Sequence, residues 1–314
     1  MIIPTKIDVE KAHGVVRHHA HRTPVLTSQL VNSILKCQML LKCENFQKVG
    51  AFKYRGATNA VQNLSKEKLA GGVCTHSSGN HAAALALAAS VRGIPAHIVM
   101  PNNAPTIKRK AVVSYGGIIT FCEPTQEARE NTLKEVQEKT GATFIHPYNN
   151  FEVICGQGTA SLELIEEKPD LDVVLTPVGG GGLFSGTLVY IKETNPRTKV
   201  YAGEPANADD AFRSLRDDKL YPSVNPNTIA DGLRTSLCPL TFEVIKKYAD
   251  GILPVSEESI IKAMRLIWER MKIIIEPSSA VPIAAVMENP HIFENKKVGI
   301  IVSGGNVDLG NLPF

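Results

Sequence analysis

Short apolar runs alternate with longer helical patterns between residues 71 and 147. Four apolar runs have the length of β-strands: GGVCTHSSG (71–79, ending in a turn), IPAHIVMP (94–101), IITFCE (118–123) and ATFIHP (142–147). Three stretches of helical periodicity lie between them and end in glycine, at 80–93, 104–117 and 125–141. Strands that alternate with helices in this order predict a parallel sheet with helices on its faces.

A second series of strand and helix patterns fills the C-terminal half. It comprises a strand, glycine turn and helix at 172–193, a strand at 199–205, a helix at 256–273 capped by Ser256, and a last strand at 297–306. We therefore predict an α/β protein with two open, twisted, mostly parallel sheets flanked by helices. The small domain covers 72–149, and the large domain combines 1–71 with 150–314. Because open α/β sheets bind ligands beyond the carboxyl ends of their strands, the active site is expected in the cleft between the domains.

Composition narrows the class of protein. Of the 314 residues, 43% are hydrophobic and 21% are charged, and the net charge of +3 is too small to indicate a nucleic-acid partner. No apolar run reaches the length of a signal peptide or a membrane span. The six cysteines contain no C-x-x-C pair, and no histidine cluster stands at zinc spacing. We therefore expect reduced thiols in a cytoplasmic protein without a membrane partner.

Residues 45–57, NFQKVGAFKYRGA, contain the first candidate for catalysis. Lys53 stands between two aromatic residues, and Lys48 and Arg55 are close by. Neighbours that exclude water and cations that repel its charge both favour the neutral amine, so we expect a lowered pKa. A neutral lysine amine is a nucleophile that forms Schiff bases with carbonyl compounds, whereas an ordinary surface lysine would simply be solvated.

Three further clusters follow predicted strands and therefore belong at the cleft. THSSGNH (75–81) would present hydroxyl and backbone N–H groups at a helix N-terminus, which suits a carboxylate. The four consecutive glycines at 179–182 let the backbone approach an anion closely, and the helix that follows aims its N-terminus at the same point, which suits a phosphate. Ser303 ends the last strand, where its hydroxyl is placed to face a heteroatom.

A Schiff-base lysine, a phosphate loop and a carboxylate site together indicate pyridoxal phosphate (PLP) and an amino-acid substrate, because PLP is the electron sink for the carbanion left when Cα loses its proton. Two alternatives remain open. GGGGLFSG, followed about 20 residues later by Glu204, resembles a dinucleotide fingerprint, but Phe184 or Ser185 occupies the third glycine position. A binding protein without catalysis would use the same fold, and borohydride trapping of a cofactor on Lys53 would distinguish PLP from both.

Beyond these clusters, the sequence resembles the fold-type II PLP enzymes, and within them the eukaryotic-type serine racemases and their serine/threonine dehydratase relatives. The resemblance covers nearly the whole chain and rests on ordered motifs: DVEKAH, TPVLTS, FKYRGA, SSGNH, HPYNN, GQGTASLE, VGGGG, EPANADD, IADGLR, EPSSA and SGGNVDLG. It implies a tryptophan synthase β-like homodimer whose small domain closes on the substrate. The implied activity is interconversion of L- and D-serine, with β-elimination of serine to pyruvate and ammonia. The alternative is a dehydratase of L-threonine or threo-3-hydroxyaspartate with little racemase activity.

The resemblance also implies roles for individual residues. Lys53 would carry the Schiff base and Ser78 would stand across the cofactor ring, so that one removes the α-proton and the other delivers a proton to the opposite face. A neutral serine at the pyridine nitrogen would delocalise the carbanion less than a carboxylate would. The cofactor would be held by Phe52, Lys53, Asn80, Gly179, Gly180, Gly181, Gly182, Leu183, Gly232 and Ser303. The substrate would be held by Ser77, Ser78, Asn80, His81 and Arg129.

Two further sites follow from the resemblance alone. GEPANADD would bind Mg²⁺, or Ca²⁺ or Mn²⁺, through the carboxylates of Glu204 and Asp210 and the carbonyl of Ala208, since oxygen ligands suit hard cations. ATP, an effector of some racemases, would contact Ser28, Lys48, Tyr115, Lys272 and Asn306.

Some positions depart from the animal racemases. Gln29, Val49 and Ala83 differ near the effector site, which weighs against activation by ATP. Tyr148 in HPYNN resembles the plant and microbial relatives and bears on substrate choice. The chain ends eight residues after Asn306, so we expect no C-terminal regulatory domain of the kind that biosynthetic threonine dehydratases often carry.

Overall fold

Two sheets form the framework of the protein, seen in a computed structural model that describes residues 2–314. Strands and helices are numbered in chain order. The larger sheet has six strands, which in spatial order are β1 (Val25–Leu26), β2 (Gln38–Cys43), β10 (Lys297–Val302), β7 (Val173–Pro177), β8 (Lys199–Pro205) and β9 (Gly251–Val255). β1 is antiparallel to β2, and all other neighbours are parallel.

The smaller sheet has four parallel strands, which in spatial order are β5 (Gly117–Cys122), β4 (Ala96–Pro101), β3 (Val73–His76) and β6 (Thr143–Phe144). Both sheets are flanked by helices, so the predicted α/β architecture with two mostly parallel sheets is confirmed. The division of the chain at residues 72 and 149 stays a prediction.

Fourteen α-helices lie in the described part of the chain. They are α1 (Lys6–Val16), α2 (Gln29–Leu35), α3 (Lys53–Gln62), α4 (Lys66–Leu69), α5 (Asn80–Arg92), α6 (Thr106–Ser114), α7 (Gln126–Thr140), α8 (Phe151–Glu167), α9 (Gly182–Thr194), α10 (Asp210–Asp217), α11 (Pro239–Tyr248), α12 (Glu257–Met271), α13 (Pro277–Glu288) and α14 (Pro290–Phe293).

Three helices with clear end signals in the sequence, α5, α7 and α12, begin and end within two residues of the predicted positions. α5 ends at Gly93 and α7 at Gly141, which adopt φ angles of +73° and +69° that favour glycine. The hydroxyls of Thr125 and Ser256 accept backbone N–H groups at the start of α7 and α12. Local capping chemistry therefore determines these boundaries.

Two predicted elements are shorter than expected. The helix predicted at 104–117 covers only Thr106–Ser114, because Gly116 turns the chain at φ +84° and Gly117 already pairs with β4. The strand predicted at 142–147 covers only Thr143–Phe144, because the chain leaves β3 after Ile145, whose N–H still donates to the carbonyl of Cys74, and runs toward Lys53.

The lysine-bearing helix α3 packs between the helices of the two sheets, against α8 on one side and α5 on the other. Glycines allow α3 and α8 to approach closely: a Cβ atom at Gly56 would lie 2.4 Å from the side chain of Gln157. The apolar cluster under the smaller sheet includes Val49, Ala57 and Val153, so it extends beyond residues 72–149 on both sides. α3 is therefore anchored in both halves of the molecule.

Within residues 2–314 there is no helix with the length and apolar character needed to cross a membrane. All six cysteines are buried and none forms a disulfide, in agreement with the predicted reduced thiols.

Candidate active site

Lys53 lies at the carboxyl end of the larger sheet, where β10 meets the start of α3. The backbone N–H of Phe52 donates to the carbonyl of Ser303 at 2.9 Å, and Ala51 forms a β-bridge with Gly304. The amine Nζ of Lys53 donates to the carbonyl of Pro147 at 3.2 Å. These contacts direct the lysine toward the segment that follows β6.

Burial lowers the pKa of the Lys53 amine to about 8, although the carboxylate of Glu276 opposes the shift. The pKa is thus lowered as predicted, but the predicted cause is wrong for Arg55. Its guanidinium is fully buried elsewhere and paired with two carboxylates, and Lys48 lies over the ring of Tyr54. Lys53 is half-buried, and this partial removal of the amine from water, rather than repulsion by these cations, lowers the pKa toward neutral pH.

The four glycines 179–182 form a buried turn that leads from β7 into the first residue of α9. A Cβ atom at Gly180 would lie 2.4 Å from the ring of Tyr148, and one at Gly181, whose φ is +85°, would lie 2.8 Å from Thr241. No protein oxygen in residues 2–314 accepts the backbone N–H groups of residues 179–183. Buried, unpaired donors at a helix N-terminus fit a phosphate, so this turn suits the phosphate of PLP.

Gly232 and Leu183 border the same turn. The position of a Cβ atom on Gly179 lies 3.2 Å from the carbonyl oxygen of Gly232, whose own N–H donates to the hydroxyl of Ser278 at 3.2 Å. Leu183 is buried in the first turn of α9. The segment around Gly232 therefore closes one side of the glycine turn.

Ser303 lies almost fully buried at the end of β10 with a second hydroxyl beside it. Its Oγ is 2.9 Å from Oγ of Ser279, which donates to the carbonyl of Gly304 and accepts its own bond from the N–H of Gly304, both at 2.7 Å. The hydrogen-bond partner of the Ser303 hydroxyl is therefore a neutral side chain, and the predicted role of Ser303 at the pyridine nitrogen stays a prediction. Ser279 was missed by the sequence analysis, although it belongs to the quoted motif EPSSA.

The loop between β3 and α5 carries the predicted carboxylate site. The hydroxyl of Ser77 accepts the N–H of Gly79 at 3.3 Å, and Ser77, Ser78 and Asn80 are half-buried. The hydroxyl of Ser78 makes no hydrogen bond within the described structure. It is therefore available to a ligand.

His81 and Arg129 differ in how closely they approach this loop. His81 is 2% exposed, its Nε2 is 2.9 Å from the carbonyl of Ile145, and its Nδ1 has no partner among residues 2–314. Burial lowers the pKa of His81 to about 3, with Lys53 adding to the shift, so the ring is neutral. Arg129 on α7 is half-buried with its Nε unpartnered, but no hydrogen bond joins it to Ser77 or Ser78.

Glu276, which the sequence analysis did not select, connects the two sides of the cleft. Asn80 donates through Nδ2 to both of its carboxylate oxygens at 3.1 and 3.2 Å, and Asn306 donates its backbone N–H to Oε2 at 3.2 Å. Burial raises the pKa of Glu276 to about 7, and Asp231 adds to the shift. Asp231 itself pairs with Lys108 of α6 at 2.5 Å, which forms a second contact across the cleft.

Tyr148 lies on the glycine turn. A Cβ atom at Gly182 would lie 2.9 Å from its Cβ, and its ring stands edge-on to the ring of His146 at 4.5 Å between centres. Burial raises the pKa of Tyr148 to about 12, with Cys238 and Asp210 adding to the shift, so its phenol is neutral. Tyr148 therefore connects the end of β6 to the predicted phosphate site.

Most of the predicted cofactor residues are linked by direct contacts. Ser303 contacts Phe52, Lys53 contacts Pro147, and the next residue, Tyr148, packs on the glycine turn. These contacts connect Lys53 and Ser303 to the glycine turn, and the unpaired N–H groups of residues 179–183 fit a phosphate such as that of PLP.

The predicted cation site contains two buried carboxylates. Glu204 accepts the N–H groups of Ala211 and Phe212 at 2.8 and 2.7 Å, whereas Oδ2 of Asp210 has no partner in the described structure. Burial raises the pKa of Asp210 to about 6 and that of Glu204 well above its usual range. Two buried carboxylates without a cation fit a metal ion. However, no three His, Cys, Asp or Glu side chains among residues 2–314 lie close enough to bind one metal ion. A carbonyl such as that of Ala208 would therefore have to complete the ligand set of Glu204 and Asp210.

The five predicted nucleotide contacts are not joined to one another. No hydrogen bond links any two of these side chains in the part of the chain that the structure describes. Ser28 caps α2, Lys272 ends α12, Tyr115 ends α6 and Lys48 covers Tyr54. Asn306 contributes instead to the contacts around Asn80 and Glu276.

The chain is similar to known proteins over nearly its whole length. Residues 16–304 match the family model described as "Pyridoxal-phosphate dependent enzyme". The chain is 49% identical over 314 residues to a beta-hydroxyaspartate dehydratase of Paracoccus denitrificans (strain Pd 1222), covering 100% of both chains. It is 48% identical over 316 residues to a serine racemase of Dictyostelium discoideum, covering 99% of this chain and 98% of the relative. The crystal structure of serine racemase from Dictyostelium discoideum superposes with a TM-score of 0.93 at 50% identity, over 97% of this chain and 99% of that chain.

Proposed function

This chain belongs to the pyridoxal-phosphate dependent enzyme family, and within that family we propose that it is a serine racemase that also eliminates water from serine to give pyruvate and ammonia. The support is near full-length similarity to the Dictyostelium racemase together with a cleft that contains a lysine, a glycine turn and a serine loop. The observation that carries the proposal is the placement of Lys53 at the carboxyl end of the larger sheet, next to Ser303, with its amine directed at the carbonyl of Pro147.

The residues of the chain divide the chemistry between them. PLP, when bound, supplies an electron sink for the charge left at Cα. The backbone N–H groups of residues 179–183 would hold its phosphate, and the amine of Lys53 would hold its aldehyde carbon and, once released, would exchange a proton with Cα. The hydroxyl of Ser78 exchanges a proton on the opposite face, because a single base would tend to return the proton to the side it left. The N-terminus of α5 and the half-buried Ser77 hold the substrate carboxylate.

A second candidate function is dehydration of threo-3-hydroxyaspartate, or of L-threonine, with little racemase activity. The Paracoccus relative, a beta-hydroxyaspartate dehydratase, is as similar to this chain as the racemase is. Arg129, half-buried with an unpartnered Nε, is a donor that a second substrate carboxylate could use.

One incubation series distinguishes these candidates. The purified holoenzyme receives L-serine, L-threonine and L-threo-3-hydroxyaspartate in turn, and chiral amino acids and keto acids are quantified for each. We expect D-serine and pyruvate from L-serine. If hydroxyaspartate is consumed at least about tenfold more efficiently and no D-serine forms, the second candidate replaces the first. An Arg129→Gln variant should then lose efficiency toward hydroxyaspartate more than toward serine.

We also propose that Glu204, Asp210 and the carbonyl of Ala208 bind Mg²⁺ or a similar divalent cation. Each of the two carboxylates is 1% exposed and neither has a cationic side-chain partner in the described structure. Because the pKa of Asp210 is raised from 3.8 to about 6, the titration of Asp210 alone should cost the metal-free protein about 3 kcal/mol of stability as pH rises from about 4 to about 6. Below pH 4 both the folded and the unfolded state keep the proton, so this loss disappears.

The cation is expected to reverse that loss. Thermal unfolding with Mg²⁺ and with EDTA should give similar midpoints at pH 5, and a midpoint several degrees higher with Mg²⁺ at pH 7.5, where Asp210 is ionised. Asp210→Asn should abolish the difference, whereas Asp217→Asn, an exposed position on the same helix, should preserve it. Equal midpoints at pH 7.5 in the wild-type protein, with no metal detected after dialysis, would refute the cation site.

The location, the oligomeric state and the effector of the protein are also part of the proposal. The buried, unpaired thiols support a cytoplasmic location. Exposed apolar side chains on α2, Leu30 and Ile34, support a homodimer. ATP as an effector has less support, because its five predicted contacts are not joined within one chain, and a site shared between two subunits would be needed.

A further inference from the structure

Four charged side chains form a buried cluster behind α3 that the proposed function leaves without a role. Lys42, Glu44 and Arg55 are fully buried, and Glu163 is 2% exposed. They come from different elements: Lys42 from β2, Glu44 from the turn after it, Arg55 from α3 and Glu163 from α8. The cluster therefore connects the larger sheet to the two central helices.

Arg55 is the centre of this cluster. Its Nε and Nη2 donate to the two carboxylate oxygens of Glu44 at 2.7 and 2.9 Å, and its Nη1 and Nη2 donate to those of Glu163, both at 2.8 Å. Lys42 donates to Glu163 at 2.6 Å and to the carbonyl of Thr23 at 2.6 Å. Two cations and two anions thus balance each other, with every oxygen of both carboxylates bonded.

Such a cluster is a poor way to gain stability alone. Removing four charges from water is costly, and apolar residues of similar volume often stabilise a protein equally well or better. A planar guanidinium held by two carboxylates has a fixed orientation, because it forms all of its hydrogen bonds in only one orientation. The cluster therefore fixes the orientation of the helix that carries Arg55.

That helix begins at Lys53. Residues two positions apart on an α-helix point about 200° away from each other, so Lys53 faces the cleft while Arg55 faces the cluster. The helix is held on both sides of the lysine: Phe52 donates to the carbonyl of Ser303 at 2.9 Å, and the N–H of Gly56 donates to Oε1 of Gln157 at 3.1 Å. The contacts of Arg55, on the face of α3 opposite Lys53, thus influence the direction of the Lys53 side chain.

We propose that Arg55, held by Glu44 and Glu163, is a positioning residue that aims the amine of Lys53 at the cofactor and at the α-carbon of the substrate. This inference rests on the proposed function, because it assumes that Lys53 is the reactive amine. Arg55 touches neither cofactor nor substrate, and it acts only through the orientation of α3. A lysine at position 55 would keep the charge but would lose the paired hydrogen bonds that the guanidinium forms with both carboxylates.

The test compares Arg55→Lys with Lys42→Met in the PLP-loaded protein. Lys42→Met removes a charge from the same cluster but from a strand rather than from α3. A misplacement of about 1 Å at a reacting group costs about 100-fold in rate, so Arg55→Lys should lower kcat for serine racemisation by about 100-fold with KM within about 3-fold. Hydroxylamine should also remove PLP from Arg55→Lys about tenfold faster than from the wild type, because the bond to Lys53 is held less well.

The control defines which outcomes overturn the proposal. Lys42→Met should lower the thermal midpoint comparably but change kcat and the rate of PLP loss by no more than about 3-fold. Equal effects of both variants on kcat and PLP loss, or an unchanged kcat in Arg55→Lys, would reduce the cluster to a stabilising role. If Arg55→Lys does not fold, Glu44→Gln, which weakens the hydrogen bonds to one of the two carboxylates, decides the question by the same two measurements. If the wild-type protein turns over no amino acid, the proposed function has failed, and the comparison of PLP loss still tests the positioning of Lys53.

Discussion

Replacing Lys53 with alanine is expected to remove all covalently held PLP and to lower turnover of serine by at least about 10³-fold. The amine is the nucleophile that binds the cofactor aldehyde and also a base for the α-proton, so the variant loses both functions. The lowered pKa, about 8, keeps a usable fraction of the amine neutral near pH 7 to 8. An ordinary lysine, with a pKa of about 10.4, would be almost entirely protonated there.

Borohydride reduction followed by peptide mass spectrometry measures this effect directly. The wild-type protein should carry a reduced pyridoxyl group on the peptide that contains Lys53, and Lys53→Ala should carry none. Lys66→Ala, at an exposed position on α4, should behave as the wild type. Label on another lysine, or no label on the wild type together with a bound nicotinamide dinucleotide, would overturn the assignment of the cofactor.

Several helix ends could be predicted closely because their signals are local. Gly93, Gly141 and Ser256 act through backbone conformation or a hydrogen bond to a nearby N–H, so neighbouring residues contain the information. The glycine turn at 179–182 was recognisable for the same reason. Family resemblance then supplied roles for residues such as Gly232, whose local sequence carries no comparable signal.

Other elements were missed because burial removes the helical pattern. In α8, every residue from Val153 to Ile165 is buried, including the polar side chains of Thr159 and Ser161. A helix enclosed on all sides has no polar stripe, so periodicity alone does not distinguish it from a strand or a loop. α13 has the same character and also contains Pro282.

The site residues that escaped prediction act over long separations in the chain. Glu276 meets Asn80 across 196 positions, and Ser279 meets Ser303 across 24. The effect of Arg55 was misjudged for a related reason. Its closeness to Lys53 in sequence suggested repulsion, but the fold turns it to the opposite side and neutralises it with Glu44 and Glu163.

Replacing Ser78 with alanine is expected to separate the two reactions that the cleft performs. Racemisation needs a proton removed on one face of Cα and another delivered on the opposite face. Loss of one of the two acid–base groups should therefore lower interconversion of L- and D-serine by about 10²- to 10⁴-fold. Elimination from the enantiomer whose α-proton faces Lys53 does not need Ser78 and should stay within about 3-fold, whereas elimination from the other enantiomer should fall with racemisation.

Ser78→Ala is expected to change the chemistry without disturbing the hydrogen bonds of the folded protein. The hydroxyl of Ser78 has no hydrogen-bond partner in the described residues, so its removal breaks no hydrogen bond of the folded protein. Ser77→Ala is the matched comparison, because the hydroxyl of Ser77 supports the N–H of Gly79 at 3.3 Å. That variant should raise KM for both enantiomers without changing the ratio of racemisation to elimination. Chiral chromatography and a pyruvate assay on both variants measure all four rates. If Ser78→Ala interconverts the two serines at the wild-type rate, the second proton donor is another group, and the neutral, unpartnered Nδ1 of His81 becomes the next position to test.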